Sequence, residues 1–420
     1  MSLRNMTLYS IFIRNFGGTF AGVEKELPRL TALGVDAIWL MPIHPIGKVK
    51  RKGSLGSPYA IADYRAVNPE FGTMEDFTHL CDAAHAQGLK VLIDVVYNHT
   101  SPDSVLAATH PEWFYHKPDG SFGNRIGDWT DIIDLDYGNR DLWDYQIETL
   151  CLWAKYVDGF RCDVAPLVPL DFWLAAREAV EKVRPGCIWL AESVEGGFVR
   201  YNREHGIPSL SDGELYRAFD ICYDYDVYDT YIAYVRGEVS LETYIAALEK
   251  QECIYPENYV KLRFTENHDR VRTAFLLPDR TMRENHLAWC FFQKGMPMLY
   301  SGTEWGVTHR PTLFDADPVI RYGAPIHGEL LRRLIAMKKD PLFDTGRYAI
   351  KACPRDTVVA AWTNGSKQTV GVFSLRGQKT VVETPLTDGT YKNLLDDTPV
   401  TVEYGMVSTD GRPIIVRTNA

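Results

Sequence analysis

Lys90-Val91-Leu92-Ile93-Asp94-Val95-Val96-Tyr97-Asn98-His99 is the stretch that decides the fold. From Val91 to Tyr97 it is apolar on both alternating faces, with Asp94 the one interruption. A strand of this kind is buried on both sides, as strands of a parallel sheet are. Working outward, similar runs stand at 9–13, 35–41, 157–164, 188–193, 218–223, 260–265 and 297–301. With 90–97 they make eight. Amphipathic stretches with helical period lie between them, at 74–86, 142–155, 171–183 and 241–250. Eight strand–helix alternations predict an α/β fold closed into a (β/α)₈ TIM barrel.

Two departures from a bare barrel are visible. After the third strand about forty residues, 100–141, rich in Pro, Gly, Trp and Asp, precede the next helix. A connection that long in a compact domain is usually functional, and it leaves the barrel end where active sites form. Near Tyr348 the pattern changes to strands alone: 357–362, 368–374, 379–383, 400–404 and 413–417. Asn364-Gly365, Asp388-Gly389 and Asp410-Gly411 give turn signals between them. The expected domains are a catalytic barrel over 1–347 with an inserted subdomain at about 100–141, and an antiparallel β-sandwich over 348–420.

The ends of the apolar runs carry the chemistry. The third run supplies Asp94 and His99, the fourth Arg161 and Asp163, the fifth Glu192, and the seventh His268 and Asp269. All seven are directed toward one mouth. A lone Asp after a strand is more often a helix cap, but clustered carboxylates repel and lower stability unless chemistry needs them. Glycoside hydrolysis needs such a pair: one acid protonates the leaving oxygen while one carboxylate attacks or stabilises the anomeric carbon. Asp163, two residues from Arg161, suits the ionised role, its pKa held low by that arginine. Glu192, within the apolar 188–191, suits the proton donor. His99 and His268 can donate to sugar hydroxyls.

These residues sit in motifs that resemble a known family. DVVYNH (94–99), GFRCDVA (159–165), WLAES (189–193) and FTENHD (264–269) are similar, in order, to the four signature regions of the α-amylase family of retaining glycoside hydrolases. Residues 56–64 (GSPYAIADY) resemble that family's substrate-site tyrosine segment. The resemblance implies Asp163 as nucleophile, Glu192 as general acid/base and Asp269 as transition-state stabiliser. It places Tyr59, His99, Arg161 and His268 around the sugar on the non-reducing side, with Asp94 a supporting carboxylate. It also sets Asn98 and Asp134 at positions that ligate calcium in relatives, so a structural calcium is one reading of them; an Asn or Asp in a turn is more often bonded to its own backbone, and no cofactor is expected to be required. Many family members carry Lys-His shortly after the nucleophile; here Pro166-Leu167 stands instead, which puts both that ion and leaving-side recognition in doubt. The segment 132–136 (IIDLD) leans toward α-1,4 bonds.

Composition narrows the partners. The net charge of −10 disfavours nucleic acid and anionic membrane surfaces. Eight scattered cysteines suggest free thiols in a reducing compartment. The expectation is a cytoplasmic monomer that hydrolyses α-1,4 bonds in starch-like glucans or maltooligosaccharides. The alternative is a transglycosylase or disaccharide-specific α-glucosidase on the same machinery. Trp113, Phe114, Tyr115 and Trp129 in the long loop are candidates for stacking on sugar rings, or for that loop's own core. The basic run 48–52 reads as a solvated loop.

Overall fold

The computed structural model describes residues 2–126 and 129–419. Eight parallel strands close into a barrel: β1 (Leu8–Ile11), β2 (Ala37–Leu40), β3 (Lys90–Val95), β4 (Gly159–Cys162), β5 (Ile188–Ala191), β6 (Ile221–Tyr223), β7 (Lys261–Arg263) and β8 (Met296–Tyr300). Each strand pairs with its chain neighbours, and β8 closes on β1. All eight lie within the runs read from sequence or one residue outside them. Nearly every strand residue is buried, which is why the runs do not alternate.

Helices cover the outside. Met74–Ala86 starts on a reciprocal cap: Thr73 Oγ1 accepts the Asp76 N–H at 3.2 Å and Asp76 Oδ2 accepts the Thr73 N–H at 2.8 Å. Arg140–Trp153, Leu170–Val183 and Leu241–Ile254 follow the expected periodicity.

The long third connection folds onto itself. His99–Thr100 pairs antiparallel with Ile133–Asp134, His99 opposite Asp134. Trp113 and Phe114 are buried within it, and Phe114 packs on Phe122 at 5.4 Å between centroids. These two aromatics therefore form the loop's small core. Tyr115 lies under the Arg125 guanidinium, 4.6 Å from its ring centre.

From Arg347 onward every regular element is a strand. Sheet β9 (Arg347–Cys353), β10 (Thr357–Asn364), β11 (Lys367–Ser374) and β16 (Ile414–Asn419) faces sheet β12 (Thr380–Glu383), β13 (Gly389–Lys392), β14 (Pro399–Glu403) and β15 (Met406–Thr409). Val359, Val370, Val372, Val402 and Val407 fill the space between them. Val358, Ala360, Trp362 and Phe373 point the other way, into the barrel's core. Trp362 Nε1–H donates to Phe292 O at 2.9 Å, and Phe373 meets Phe292 at 5.3 Å. The first sheet is thus buried on both faces, so β10 reads as a continuous apolar run. β9, β13 and β15 had no clear sequence signal; β13 is mostly exposed and polar.

Candidate active site

Backbone ladders run past the strand ends and fix the residues that carry carboxylates. The Asp163 N–H donates to Val95 O at 2.8 Å, and the Glu192 N–H to Cys162 O at 3.0 Å. Asp94 stands opposite Arg161 in the β3–β4 register. Arg161 has no exposed surface, and one guanidinium serves three acids. Its Nη1 donates to Asp94 Oδ1 and to Asp163 Oδ1, both at 2.8 Å. Its Nη2 lies 2.9 Å from Glu192 Oε2, but that N–H is not aimed along the contact and makes no hydrogen bond. Glu192 Oε2 instead accepts the Val164 N–H at 2.8 Å. Val164 holds φ 33°, ψ 47°, a left-handed backbone that a β-branched residue rarely adopts. Strain of this kind costs about 1–3 kcal/mol and clusters at functional sites. Here it turns the amide toward Glu192.

The electrostatics separate the three acids. Burial pushes Glu192 up to about 8; Arg161 opposes this, and the charges of Asp163 and Asp269 add to it. Burial also lifts Asp163 to about 6, with Arg161 pulling down and Asp94 pushing up. The sequence reading had Arg161 holding Asp163 low; desolvation and the second carboxylate outweigh it. Asp269 differs: burial is overcome by the charge and hydrogen bond of His268, and the group falls to about 2. Its side chain keeps 45% exposure, and its Oδ2 lies 3.0 Å from His268 Nε2. The Asn267 side chain accepts the N–H groups of Asp269 and Arg270, at 2.9 and 3.0 Å, which fixes the turn presenting Asp269.

Around these acids lies an open cleft of about 330 Å³ lined by Tyr59, His99, Trp129, Asp163, Glu192, His268 and Asp269, among others. The Tyr59 hydroxyl is 2.8 Å from His268 Nε2 and 3.3 Å from Asp94 Oδ2, with the Tyr59 and His268 rings stacked at 5.6 Å. Burial pulls His99 down to about 4, so it is neutral near pH 7. The Asn98 amide contacts His99 Nδ1 at 3.1 Å. When that amide donates, the ring proton sits on Nε2, which faces Asp163 Oδ2 at 4.0 Å. Of the aromatics offered for stacking, Trp129 reaches the cleft, 5.6 Å from the His99 ring. Arg161 and Asp94 do not line it. Arg161, set beside the sugar by the resemblance, lies behind the carboxylates and positions them.

Sequence reasoning missed Lys52, Asp131 and Phe314, which also line the cleft. Lys52 belongs to the basic run read as a solvated loop. Nothing local marks it, because its partner is on another connection.

The calcium positions fit a divalent ion poorly. Asp134 Oδ2 accepts the Arg125 N–H at 2.7 Å and lies 3.7 Å from the Arg125 guanidinium, while the Asn98 amide is engaged with His99. Asp134 Oδ1 is buried without a partner, a single open oxygen where calcium takes six to eight. Among the described residues no group of three His, Cys, Asp or Glu side chains converges to hold a metal. EDTA is therefore expected to leave the melting temperature in place. An ion bound at a hundred times its Kd would contribute about 2.7 kcal/mol, so a fall of several degrees in a thermal melt would restore the calcium.

Comparison with known proteins agrees with this geometry. Residues 4–119 match the profile described as alpha amylase, catalytic domain, and residues 349–416 the bacterial alpha amylase C-terminal domain. The crystal structure of an α-amylase from Lactobacillus plantarum is 48% identical, covers 99% of both chains and superposes with a TM-score of 0.97. The chain belongs to the α-amylase family of glycoside hydrolases. A second family structure, a noncanonic maltogenic α-amylase from Thermotoga neapolitana, is 33% identical over 100% of both chains, with a TM-score of 0.89. The α-amylase MalA of Haloarcula japonica is 28% identical across 96% of this chain, which spans 61% of that relative's length.

Proposed function

We propose that this chain hydrolyses α-1,4-glucosidic bonds in starch-like glucans or maltooligosaccharides with retention of configuration. The observation that carries the reading is the separation of three acids in one cleft: Glu192 raised to about 8, Asp163 at about 6 and Asp269 lowered to about 2. At neutral pH, Glu192 holds a proton while the other two are ionised. The Asp163 carboxylate attacks the anomeric carbon. As the glycosidic bond breaks, Glu192 gives its proton to the leaving oxygen. A glucosyl ester on Asp163 results. Glu192, now a carboxylate, takes a proton from water, which attacks the same carbon and releases Asp163. Asp269 offers a fixed negative charge to the cationic transition state. Tyr59, His99 and His268 hold the sugar on the non-reducing side.

Three features support the surroundings of this reading. All eight cysteines are free thiols, as a reducing compartment would leave them, and we infer a cytoplasmic enzyme working as a monomer. Among the described residues no helix is long and apolar enough to cross a membrane. The cleft presents aromatic rings and polar hydrogen-bonding groups, with the lysine that lines it, Lys52, paired to Asp131, suited to an uncharged glucan.

The test is hydrolysis of maltoheptaose across pH. We expect kcat/KM to be bell-shaped, falling below about 6 as Asp163 takes a proton and above about 8 as Glu192 loses one. The limbs belong to the carboxylate cluster as a whole. No cleavage at any pH would overturn the reading, and products longer than the substrate would mean transfer.

A further inference from the structure

Three connections meet over one flank of the cleft. Lys52, on the β2–β3 connection, places Nζ 2.8 Å from Oδ1 of Asp131, on the long loop after β3. Asp131 is buried, and among the described residues no other cation makes an ion pair with its carboxylate. Phe314, on the segment after β8, lies under the same ammonium, 6.0 Å from ring centre to Nζ. The loop bearing Lys52 is held against that segment. Leu55 N–H donates to Phe314 O at 2.9 Å, and the Ser54 N–H and hydroxyl both donate to Asp315 Oδ1, at 2.8 and 2.6 Å. Gly53 makes the approach possible: its φ is +63°, and a Cβ there would come within 2.6 Å of Phe314 Cβ. Arg14 ties the base of both loops, donating to Leu313 O at 2.9 Å and to Glu70 at 2.7 Å.

The side on which this wall stands follows from the barrel. Strands β1, β2, β3 and β8 are contiguous, and in a closed ring of eight they lie across from β5. Glu192 follows β5 and must face the leaving oxygen. The wall therefore stands on the opposite, non-reducing side, next to Trp129 and His99.

We propose that the Lys52–Asp131 ion pair closes the cleft on the non-reducing side and limits how many glucosyl units can precede the bond that is cut. The inference rests on the hydrolytic reading above. An ion pair bridging two otherwise separate connections is a barrier that chain length alone cannot pass. Its groups also offer hydrogen-bond partners to the terminal sugar. The enzyme would thus release fragments of one or two units from non-reducing ends.

The experiment is digestion of maltoheptaose carrying a chromophore at its reducing end. The length of each labelled product reports which bond broke, a ratio read within one reaction and independent of overall rate. Wild type is expected to cut with one or two units on the non-reducing side. In Lys52→Ala and Asp131→Ala, the share of cuts with three or more units there should rise about fivefold, the effect of losing one modest ion pair. Lys52→Arg keeps the charge and should keep the wild-type pattern. A wild type and a Lys52→Ala variant that cut the same bonds in the same proportions would overturn the barrier and leave the hydrolytic reading intact. A wild type that leaves maltoheptaose uncut defeats that reading, and the barrier with it.

Discussion

Asp163→Asn is expected to abolish cleavage while leaving the fold at least as stable. Without a carboxylate there is nothing to form the ester on the anomeric carbon, and we expect kcat to fall by about four orders of magnitude, about 5.4 kcal/mol. The amide keeps the shape and removes one of the charges crowded on Arg161. Because burial and Asp94 hold Asp163 at about 6, its ionised form is under strain at neutral pH. Neutralising it should hold or raise the melting temperature. A companion variant tests the order of steps. Glu192→Gln cannot protonate a sugar leaving group, but an α-glucosyl fluoride needs little such help. Incubation should leave a protein heavier by one glucosyl unit, with the label mapping to Asp163 by mass spectrometry. An Asp163→Asn enzyme retaining a tenth of wild-type turnover, or a label on another residue, would remove Asp163 from the mechanism.

The second large effect is expected at Arg161. Replacing it with Met leaves Asp94 and Asp163 buried with no cation between them, and removing one partner of a buried pair costs about 3–5 kcal/mol. The pH dependence gives the direction. Asp94 and Asp163, both about 6 in the folded wild type, are raised above ordinary carboxylates, and losing Arg161 raises them further. A carboxyl raised on folding binds protons more tightly in the native state, so its burden grows as pH rises through the window between the two values. The variant should therefore be most impaired at pH 7 and recover part of the deficit near pH 5. Urea unfolding of wild type and Arg161→Met at both pH values measures this. Equal stability at pH 7 would show that the guanidinium does not hold the cluster together.

The strand runs and the four motifs were legible because their causes are local. A strand covered on both faces must be apolar at every position, and the polar residue that ends it must stand at the barrel mouth. The outcome was poorer where cause lay elsewhere. Trp113 and Trp129 read alike in sequence, yet one is packed into its loop and the other faces the cleft. Lys52 looked solvated because Asp131 lies far along the chain. The exposed β13 carries too few apolar residues to declare itself.

Sequence alone determined the barrel, most strands of the β domain that follows it and which acids end the barrel strands, since burial periodicity and residue type are written position by position. Tertiary structure decided what those acids are. Only when Arg161 is set among the buried carboxylates, Val164 is bent to point its amide at Glu192, and His268 is brought beside Asp269 do Glu192, Asp163 and Asp269 acquire three different proton affinities. Charge and desolvation act through space, and that distance is set by packing between strands whose order along the chain does not reveal it.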